Sequence, residues 1–239
     1  MPKIIFHSAK EYNLDNKFYP SPSKSFVPEW FSKASRFWTD KNGKNYYDHE
    51  SGEKLLSFKA CPALMDSFVS GYSLLTPCDI HFYRINGKIS VGIDNKYKSF
   101  CERREPVADL EVPFGYEETH FHWFPNWMPE LPEGYSAVYV SPINRFDLPF
   151  ITVSGIIDND KMSTPGLIPF FIQKGFVGTI KAGTPYVQIL PYKRESWTME
   201  KVFHSEIEIV HRHNESAKKF RIPGGGGYKK TVWSRKDFS

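Results

Sequence analysis

Two carboxylates separated by one residue follow an apolar stretch in the second half of the chain. Gly155-Ile156-Ile157 leads directly into Asp158, Asn159 and Asp160. On a strand, residues two apart lie on the same face, and in a turn both side chains can border one small cavity. Because like charges this close raise the pKa of one carboxyl group, Asp158 and Asp160 are candidates for a general base or a metal-bridging pair. The same two acids also fit the capping of a turn.

A run of four glycines near the C-terminus predicts an anion site. Gly224 to Gly227 are preceded by Arg221 and followed by Tyr228. Glycines let backbone N–H groups converge on phosphate oxygens, an arginine adds positive charge, and an aromatic ring can stack on a base. The candidate ligand-binding residues here are Arg221, Gly225, Gly226 and Tyr228. A flexible linker is the other interpretation of the glycines.

One amide side chain, Gln188, stands among apolar residues of a predicted strand. It is either a ligand-binding residue or the partner of a buried backbone group.

Two histidines, His120 and His122, flank Phe121. On a strand both imidazoles lie on one face, as the metal ligands of cupin-type β-barrels do. A cupin would need a further histidine from a later strand, and Tyr186 stands where that residue would be expected. His120 and His122 are therefore an alternative metal site, beside the simpler interpretation of a histidine pair packed against aromatic rings.

The last residues of the chain combine basic and aromatic side chains. The basic residues are Lys229, Lys230, Arg235 and Lys236, and the aromatic residues among them are Tyr228, Trp233 and Phe238. This pattern is typical of single-stranded nucleic-acid binding, or of an arm that docks on a neighbouring subunit. A solvated end is the third interpretation.

Short strands separated by turns must position these residues. The sequence IHFYRI, then Asn86-Gly87, then KISVGI predicts a β-hairpin, because Asn-Gly supplies the two positive φ angles of a type I′ turn. Further strands are predicted at 2–7, 107–112, 117–123, 135–141, 150–157, 167–173, 176–181 and 185–190. The predicted fold class is α+β and β-dominated, with a β-clip or a roll- or barrel-like core.

Helices are predicted only outside this β core. Pro28 suits the first turn of a helix that continues to Trp38, and a second helix over 61–72 begins at Pro62 and stops at Gly71. The one long C-terminal helix is predicted over 199–220, with a strand as the alternative. Its inward-facing residues would be Val202, Phe203, Ile207, Val210 and Ala217.

The composition of the 239 residues fits one β-rich domain. We expect that domain over 1–223, with an N-terminal decoration at 1–75, a β core at 76–198 and the helix at 199–220, followed by a glycine-rich basic arm at 224–239. Three cysteines form no CxxC, which is typical of a reducing compartment, and no run approaches the ~20 apolar residues of a membrane helix. Ser/His/Asp order, a P-loop lysine motif, a dinucleotide fingerprint and zinc-type cysteine spacing are absent.

Three segments in order resemble the β-clip superfamily of deoxyuridine triphosphatases and deoxycytidine triphosphate deaminases. They are Gly155 to Asp160, Gly183 to Ile189, and Arg221 to Tyr228. The resemblance implies that Asp158 activates water, that Gln188 is the buried glutamine, and that the glycine arm covers phosphates and base. Lys161 replaces the sugar-discriminating tyrosine, and Arg145 is a loose substitute in the phosphate motif.

The whole chain is also similar to an uncharacterised family found in tailed bacteriophages and some bacteria, through FVPEWF, CPALMDSFVSGY, LPEGYSAVYVSPINRFDLPF and AGTPYVQILPYKRESW. Together these likenesses imply a phage-type protein that binds a nucleotide in a homo-oligomer. Hydrolysis of a nucleoside triphosphate stays open as a further activity, with Mg²⁺ as cofactor in that case. The alternatives are a non-enzymatic assembly protein of a virion or oligomer, and a cupin-like metal enzyme. The expected location is the host cytoplasm, or the virion for an assembly protein; nucleic acid is a further partner through the basic tail, and no membrane partner is expected.

Overall fold

The Asn-Gly hairpin is present in the computed structural model of the chain. Asn86 and Gly87 have φ angles of 49° and 77°, and they join β4 (Ile80–Ile85) to β5 (Lys88–Ile93) in antiparallel register. The structure describes residues 2–10, 18–49, 52–97, 99–106, 111–162, 164, 166–220 and 227–239. Over these residues the fold is β-dominated α+β, as predicted, with antiparallel pairing in every sheet.

The described strands form four sheets. The largest has the order β11-β9-β14-β3-β2, and the second has the order β10-β12-β7-β6. The hairpin forms a third sheet with β13, and β1 pairs with β8. The other strand bounds are β1 (Ile5–His7), β2 (Ser21–Pro22), β3 (Tyr72–Leu75), β6 (Cys101–Arg103), β7 (Tyr116–Trp123), β8 (Met128–Glu130), β9 (Tyr135–Val140), β10 (Phe150–Thr152), β11 (Gly155–Ile157), β12 (Ile168–Gln173), β13 (Gly178–Ile180) and β14 (Pro185–Lys193).

The chain divides into two compact units. The first contains residues 1–27, 68–194 and 238, and the second contains residues 28–67, 195–237 and 239. Four described α-helices are α1 (Glu29–Lys33), α2 (Pro62–Val69), α3 (Glu206–Phe220) and α4 (Gly227–Thr231). Short 3₁₀ turns occupy Ser23–Phe26, Phe58–Ala60 and Asn95–Tyr97.

Aromatic rings fill the core of the first unit. The ring of Trp123 stacks on Phe170 with centroids 3.6 Å apart and planes 5° apart. The Thr152 hydroxyl accepts from Trp123 Nε1 at 3.1 Å and donates to the Tyr186 carbonyl at 2.6 Å, so one buried hydroxyl joins three strands. Dense contact between large rings stabilises the stacked sheets without disulfides.

The predicted elements differ from the observed ones mainly at their ends. The helix starting near Pro28 stops at Lys33, while α2 begins at Pro62 as predicted and ends just before Gly71, whose φ is +73°. The strand predicted over 150–157 is two strands, β10 and β11, which belong to different sheets. Residues 111 and 112 are not in a strand, and 107–110 lie outside the described residues.

The long C-terminal helix begins seven residues later than predicted, at Glu206, because Ser205 caps it. The Ser205 hydroxyl accepts from the Glu208 amide at 3.3 Å, while the Glu208 carboxylate accepts from the Ser205 amide at 2.8 Å. This reciprocal arrangement is a capping box. None of the described helices is both long and apolar enough to cross a membrane.

Candidate functional site

The two predicted catalytic carboxylates lie beside one arginine that the sequence did not single out. Arg194 follows β14 and donates to Asp160 through Nη1, at 2.9 Å from Oδ1, and through Nη2 to Oδ2. Its Nη1 also lies 3.3 Å from Asp158 Oδ1. The Gly134 amide donates to Asp160 at 3.0 Å, and the Ser136 hydroxyl donates to Asp158 at 2.5 Å. The structure therefore brings Asp158 and Asp160 together, as the sequence indicated.

The spacing of the two acids predicted a raised pKa for one of them, whereas the pKa of Asp160 is lowered. The hydrogen bond from Arg194 lowers the pKa of Asp160 to about 2, and the Gly134 amide acts in the same direction. A carboxylate with such a low pKa stays ionised and is a weak base. The observed contacts join the turn after β11 to the end of β14; a role of Asp158 or Asp160 as base or metal anchor stays a prediction.

The residue between the two acids, Asn159, is buried and hydrogen-bonded on both sides of its amide. Asn159 is 1 % exposed, accepts from the Tyr139 hydroxyl at 3.0 Å and donates to the Met162 carbonyl at 3.2 Å. Its own backbone carbonyl accepts from the Leu131 amide at 3.2 Å. These bonds fix the turn and direct the flanking acids toward Arg194.

Gln188 makes the backbone contacts of the simpler interpretation. Its Oε1 accepts from the Ile143 amide at 3.0 Å and its Nε2 donates to the Ser70 carbonyl at 2.6 Å. Arg145 lies in the turn that begins with Ile143, and it forms two hydrogen bonds with Asp147, at 2.8 and 2.7 Å. Both predicted ligand-binding residues are therefore occupied by protein groups in the first unit.

The glycine arm is described only in part. Arg221, Gly225 and Gly226 lie outside the described residues. Gly227 is buried at the start of α4, and the Tyr228 carbonyl accepts from the amides of Val232 and Trp233 at 2.9 Å each. The role of this arm in covering the phosphates and the base of a nucleotide stays a prediction.

Trp233 and Lys236 of the basic tail contact Asp66 within the second unit. Trp233 Nε1 lies 2.9 and 3.1 Å from the two carboxylate oxygens of Asp66, and Lys236 Nζ donates to the same carboxylate at 2.6 Å. The ammonium groups of Lys229 and Lys236 lie 5.8 and 5.6 Å from the centroid of the Trp233 ring. Trp233 is thus engaged within the protein, which reduces its availability for stacking on a base.

His120 and His122 share one face of β7, with ring centroids 5.2 Å apart. Arg104 Nε donates to His122 Nδ1 at 3.0 Å, which places a guanidinium where a metal cation would otherwise approach. Burial and the neighbouring Arg104 lower the pKa of His120. Within the described part of the chain no three metal-ligating side chains converge.

A cleft of about 570 Å³ in the first unit was not foreseen from the sequence. Its charged lining residues come from separate segments, namely Arg84, Lys88, Arg103, Glu105, Glu117, Glu118 and Lys174, with Phe114 and Tyr116 as its aromatic members. No local spacing connects these residues, because the antiparallel sheets bring them together across more than 80 positions. The volume lies within the range of about 300–1,000 Å³ that is typical of small-molecule sites.

Two ion pairs organise the cleft. Arg84 donates to Glu117, which also accepts from the Gly175 amide at 2.7 Å. Arg103 Nη1 donates to Glu105 at 2.5 Å. The backbone amide of Lys174 donates to the Gly115 carbonyl at 2.8 Å and so fixes the loop that carries Phe114.

No protein family, curated protein or solved structure matches the chain. The likenesses to the β-clip enzymes and to the tailed-bacteriophage family therefore stay predictions.

Proposed function

We propose that this protein binds a small phosphorylated ligand of the nucleoside phosphate class in the cleft of its first unit. The observation that carries the proposal is the excess of positive over negative side chains in the lining of the cleft. Arg84 and Arg103 each face a carboxylate, whereas Lys88 and Lys174 have no ion pair among the described residues. Two such ammonium groups favour a ligand with one or two negative charges.

A buried donor strengthens the preference for an anion. Arg103 Nε is buried and has no hydrogen-bond partner in the described part of the protein. A buried donor that lacks a partner costs about 1–3 kcal/mol, and a shift of the Arg103 side chain toward the cleft would let a ligand oxygen accept from it. With Glu118 included, the lining carries four basic and three acidic side chains, so one positive charge remains in excess.

An exposed aromatic ring favours a ligand with a flat apolar part. Phe114 belongs to the cleft lining and is fully exposed. Rings placed this way stack on nucleobases, and each stacked base contributes about 1–3 kcal/mol. A phosphate near the lysines and a base near Phe114 would use both features of the cleft.

The proposal is for binding without hydrolysis. Neither Asp158 nor Asp160 is among the cleft residues, and Arg194 holds Asp160 as a weak base. The proposed setting is the cytoplasm of a host cell, with the phage origin that the sequence likeness implies.

Thermal shift tests the proposal directly. A ligand at one hundred times its Kd adds about 2.7 kcal/mol to the free energy of unfolding. We expect nucleoside mono-, di- or triphosphates to raise Tm, and inorganic phosphate and unphosphorylated nucleosides each to raise it less. The double variant Lys88→Ala, Lys174→Ala should remove the shift, whereas the matched control Lys161→Ala, outside the cleft, should keep it. An unchanged Tm with every phosphate, or an undiminished shift in the double variant, contradicts the proposal.

Phe114 separates stacking from simple charge attraction. Phe114→Ala should weaken binding of nucleoside phosphates while leaving that of inorganic phosphate unchanged, and Phe146→Ala, another exposed phenylalanine, should affect neither. Isothermal titration measures both. Equal affinity of the wild type and Phe114→Ala for a nucleoside phosphate would remove the base from the proposal.

A further inference from the structure

The second unit carries a segment whose large apolar side chains are exposed. Trp197, Phe203 and Ile207 are 85 %, 93 % and 82 % exposed. The other members are Met199, Val202, Ile209 and Val210, all at least two-fifths exposed. The predicted inward position of Val202, Phe203, Ile207 and Val210 is therefore wrong for the single chain, and Ala217 is half-buried. Apolar patches of this extent mark surfaces that another molecule covers.

The spacing within this apolar segment, residues 197–217, is that of a coiled coil. Phe203, Ile207, Val210, Asn214 and Ala217 follow one another at intervals of four, three, four and three residues. Within α3 the last four lie on one helical face, which is exposed except at Ala217. This spacing is the heptad pattern of two helices packed along a common seam, and an asparagine within such a seam lowers its stability.

The helix has little to hold it in place along this face. α3 has 15 residues, and isolated helices of about 12–15 residues are marginal in water. Local support comes from the Ser205–Glu208 capping box and from a Glu215–Lys218 ion pair. The Thr231 hydroxyl of α4 donates to the Lys219 carbonyl at 3.1 Å, so α4 anchors the C-terminal end of α3. Packing this exposed face against a partner would therefore stabilise the helix.

The charges of α3 select the partner and its direction. Glu206 and Glu208 lie in the first turn, and Lys218 and Lys219 lie in the last turn. We propose that α3 pairs antiparallel with α3 of a second copy of this chain about a two-fold axis. The acidic end of each helix then lies beside the basic end of the other, whereas a parallel pair would place like charges side by side.

The apolar residues of the seam fit this antiparallel register. With the axis near Arg212, Ile207 of one copy faces Ala217 of the other, so a large side chain packs against a small one. Val210 then faces Asn214. The helix also carries three acidic and three basic residues, Glu206, Glu208, Glu215, Arg212, Lys218 and Lys219. This balance favours a self-complementary partner over an anionic membrane surface, which attracts helices rich in lysine and arginine.

Sedimentation velocity of the full chain tests the pairing. We expect a monomer–dimer equilibrium, with Ile207→Ser plus Val210→Ser raising the dimer Kd by about tenfold or more. Because both side chains are exposed in the single chain, these changes leave its folding intact. The matched control Ile156→Ser plus Val177→Ser replaces two comparably exposed residues of the first unit and should leave the dimer Kd unchanged. A chain that stays monomeric at every concentration overturns the proposal, as does equal dimerisation of the two double variants.

Disulfide trapping tests the direction. In a Cys61→Ser background, which removes an exposed thiol, chains with Ile207→Cys are mixed with chains carrying Ala217→Cys. We expect the 207–217 crosslink between chains to form fastest, and a faster 207–207 crosslink would overturn the antiparallel arrangement. Asn214→Leu should tighten the dimer, because an asparagine in the seam costs stability. Binding to phosphatidylserine vesicles by a chain that does not dimerise would instead identify a membrane surface as the partner and overturn the proposal.

Discussion

The guanidinium of Arg194 donates to both carboxylate oxygens of Asp160. The side chain of Asp160 is only 2 % exposed, whereas that of Arg194 is 29 % exposed. The contact joins the residue after β14 to the turn after β11, while the Arg194 amide donates to the Gly134 carbonyl at 2.9 Å. The arginine thereby fixes the edge of the largest sheet through its backbone and its side chain.

This contact predicts a loss of stability in acid. The pKa of Asp160 in the folded chain is lowered from 3.8 to about 2, chiefly by Arg194. As pH falls, the unfolded chain therefore binds a proton at Asp160 before the folded chain does. The stabilisation by this contact is fully present above the unfolded pKa, and it is lost as pH falls through the folded pKa. We expect the Tm difference between the wild type and Asp160→Asn to be largest above pH 4 and to shrink toward pH 2. Asp237→Asn, which removes an exposed carboxylate, should give no such trend when Tm is measured over the same pH series.

A second prediction concerns the glycine that ends α2. Gly71 has φ +73°, and a Cβ built there would lie 2.1 Å from the Ile189 carbonyl oxygen, a backbone atom. Gly71→Ala should therefore cost about 3 kcal/mol, from steric overlap as well as backbone strain. Gly134 has φ +81° with nothing within 4 Å, so Gly134→Ala should cost only about 1–2 kcal/mol. Urea unfolding of the two variants measures the difference, and equal costs would show that the overlap is relieved.

Local signals predicted those features of the fold that depend on neighbouring residues. Asn86-Gly87 has a turn geometry that few other dipeptides adopt. Pro62 marks the start of a helix because it lacks a backbone N–H, and Gly71 marks its end because glycine tolerates a positive φ. Residues two apart in a turn stay close, and Arg194 contacts both Asp158 and Asp160.

The residues that complete the aspartate cluster and the cleft are brought together by strands that lie far apart in the sequence. Arg194 reaches Asp160 only because β14 continues to Lys193, three residues beyond its predicted end, in register with β9. The cleft combines β4, β5, β6 and β7, which no spacing along the chain connects. The periodicity of α3 correctly indicated an apolar face but not whether that face is covered within the chain or by a second molecule.

The buried Thr152 hydroxyl gives a third prediction. Thr152→Val keeps the shape of the side chain but leaves Trp123 Nε1 and the Tyr186 carbonyl without this partner. Unsatisfied buried groups cost about 1–3 kcal/mol each, so we expect a loss of roughly 2–4 kcal/mol in the free energy of unfolding. Thr152→Ser retains the hydroxyl and removes only a methyl group, at about 1 kcal/mol. Denaturant unfolding with unchanged m values compares the two; a Thr152→Val variant as stable as Thr152→Ser would contradict the role of the hydroxyl.

The histidine pair of β7 predicts a pH dependence nearer neutrality. His120 is 8 % exposed, its Nδ1 has no hydrogen-bond partner among the described residues, and its ring lies 6.0 Å from that of Phe171. Burial, and secondly the charge of Arg104, lowers the pKa of His120 in the folded chain below its ordinary value of 6.5. At a pH between the folded and the unfolded pKa, the unfolded chain therefore binds a proton at His120 that the folded chain does not bind. Stability therefore falls as pH falls through this window. We expect His120→Phe to flatten the decline of Tm between about pH 7 and pH 5, because phenylalanine removes the titrating group and keeps the ring beside Phe171. His49→Phe, at an exposed position, should leave the decline as it is in the wild type. If both variants decline equally, His120 does not titrate differently in the folded and unfolded chains.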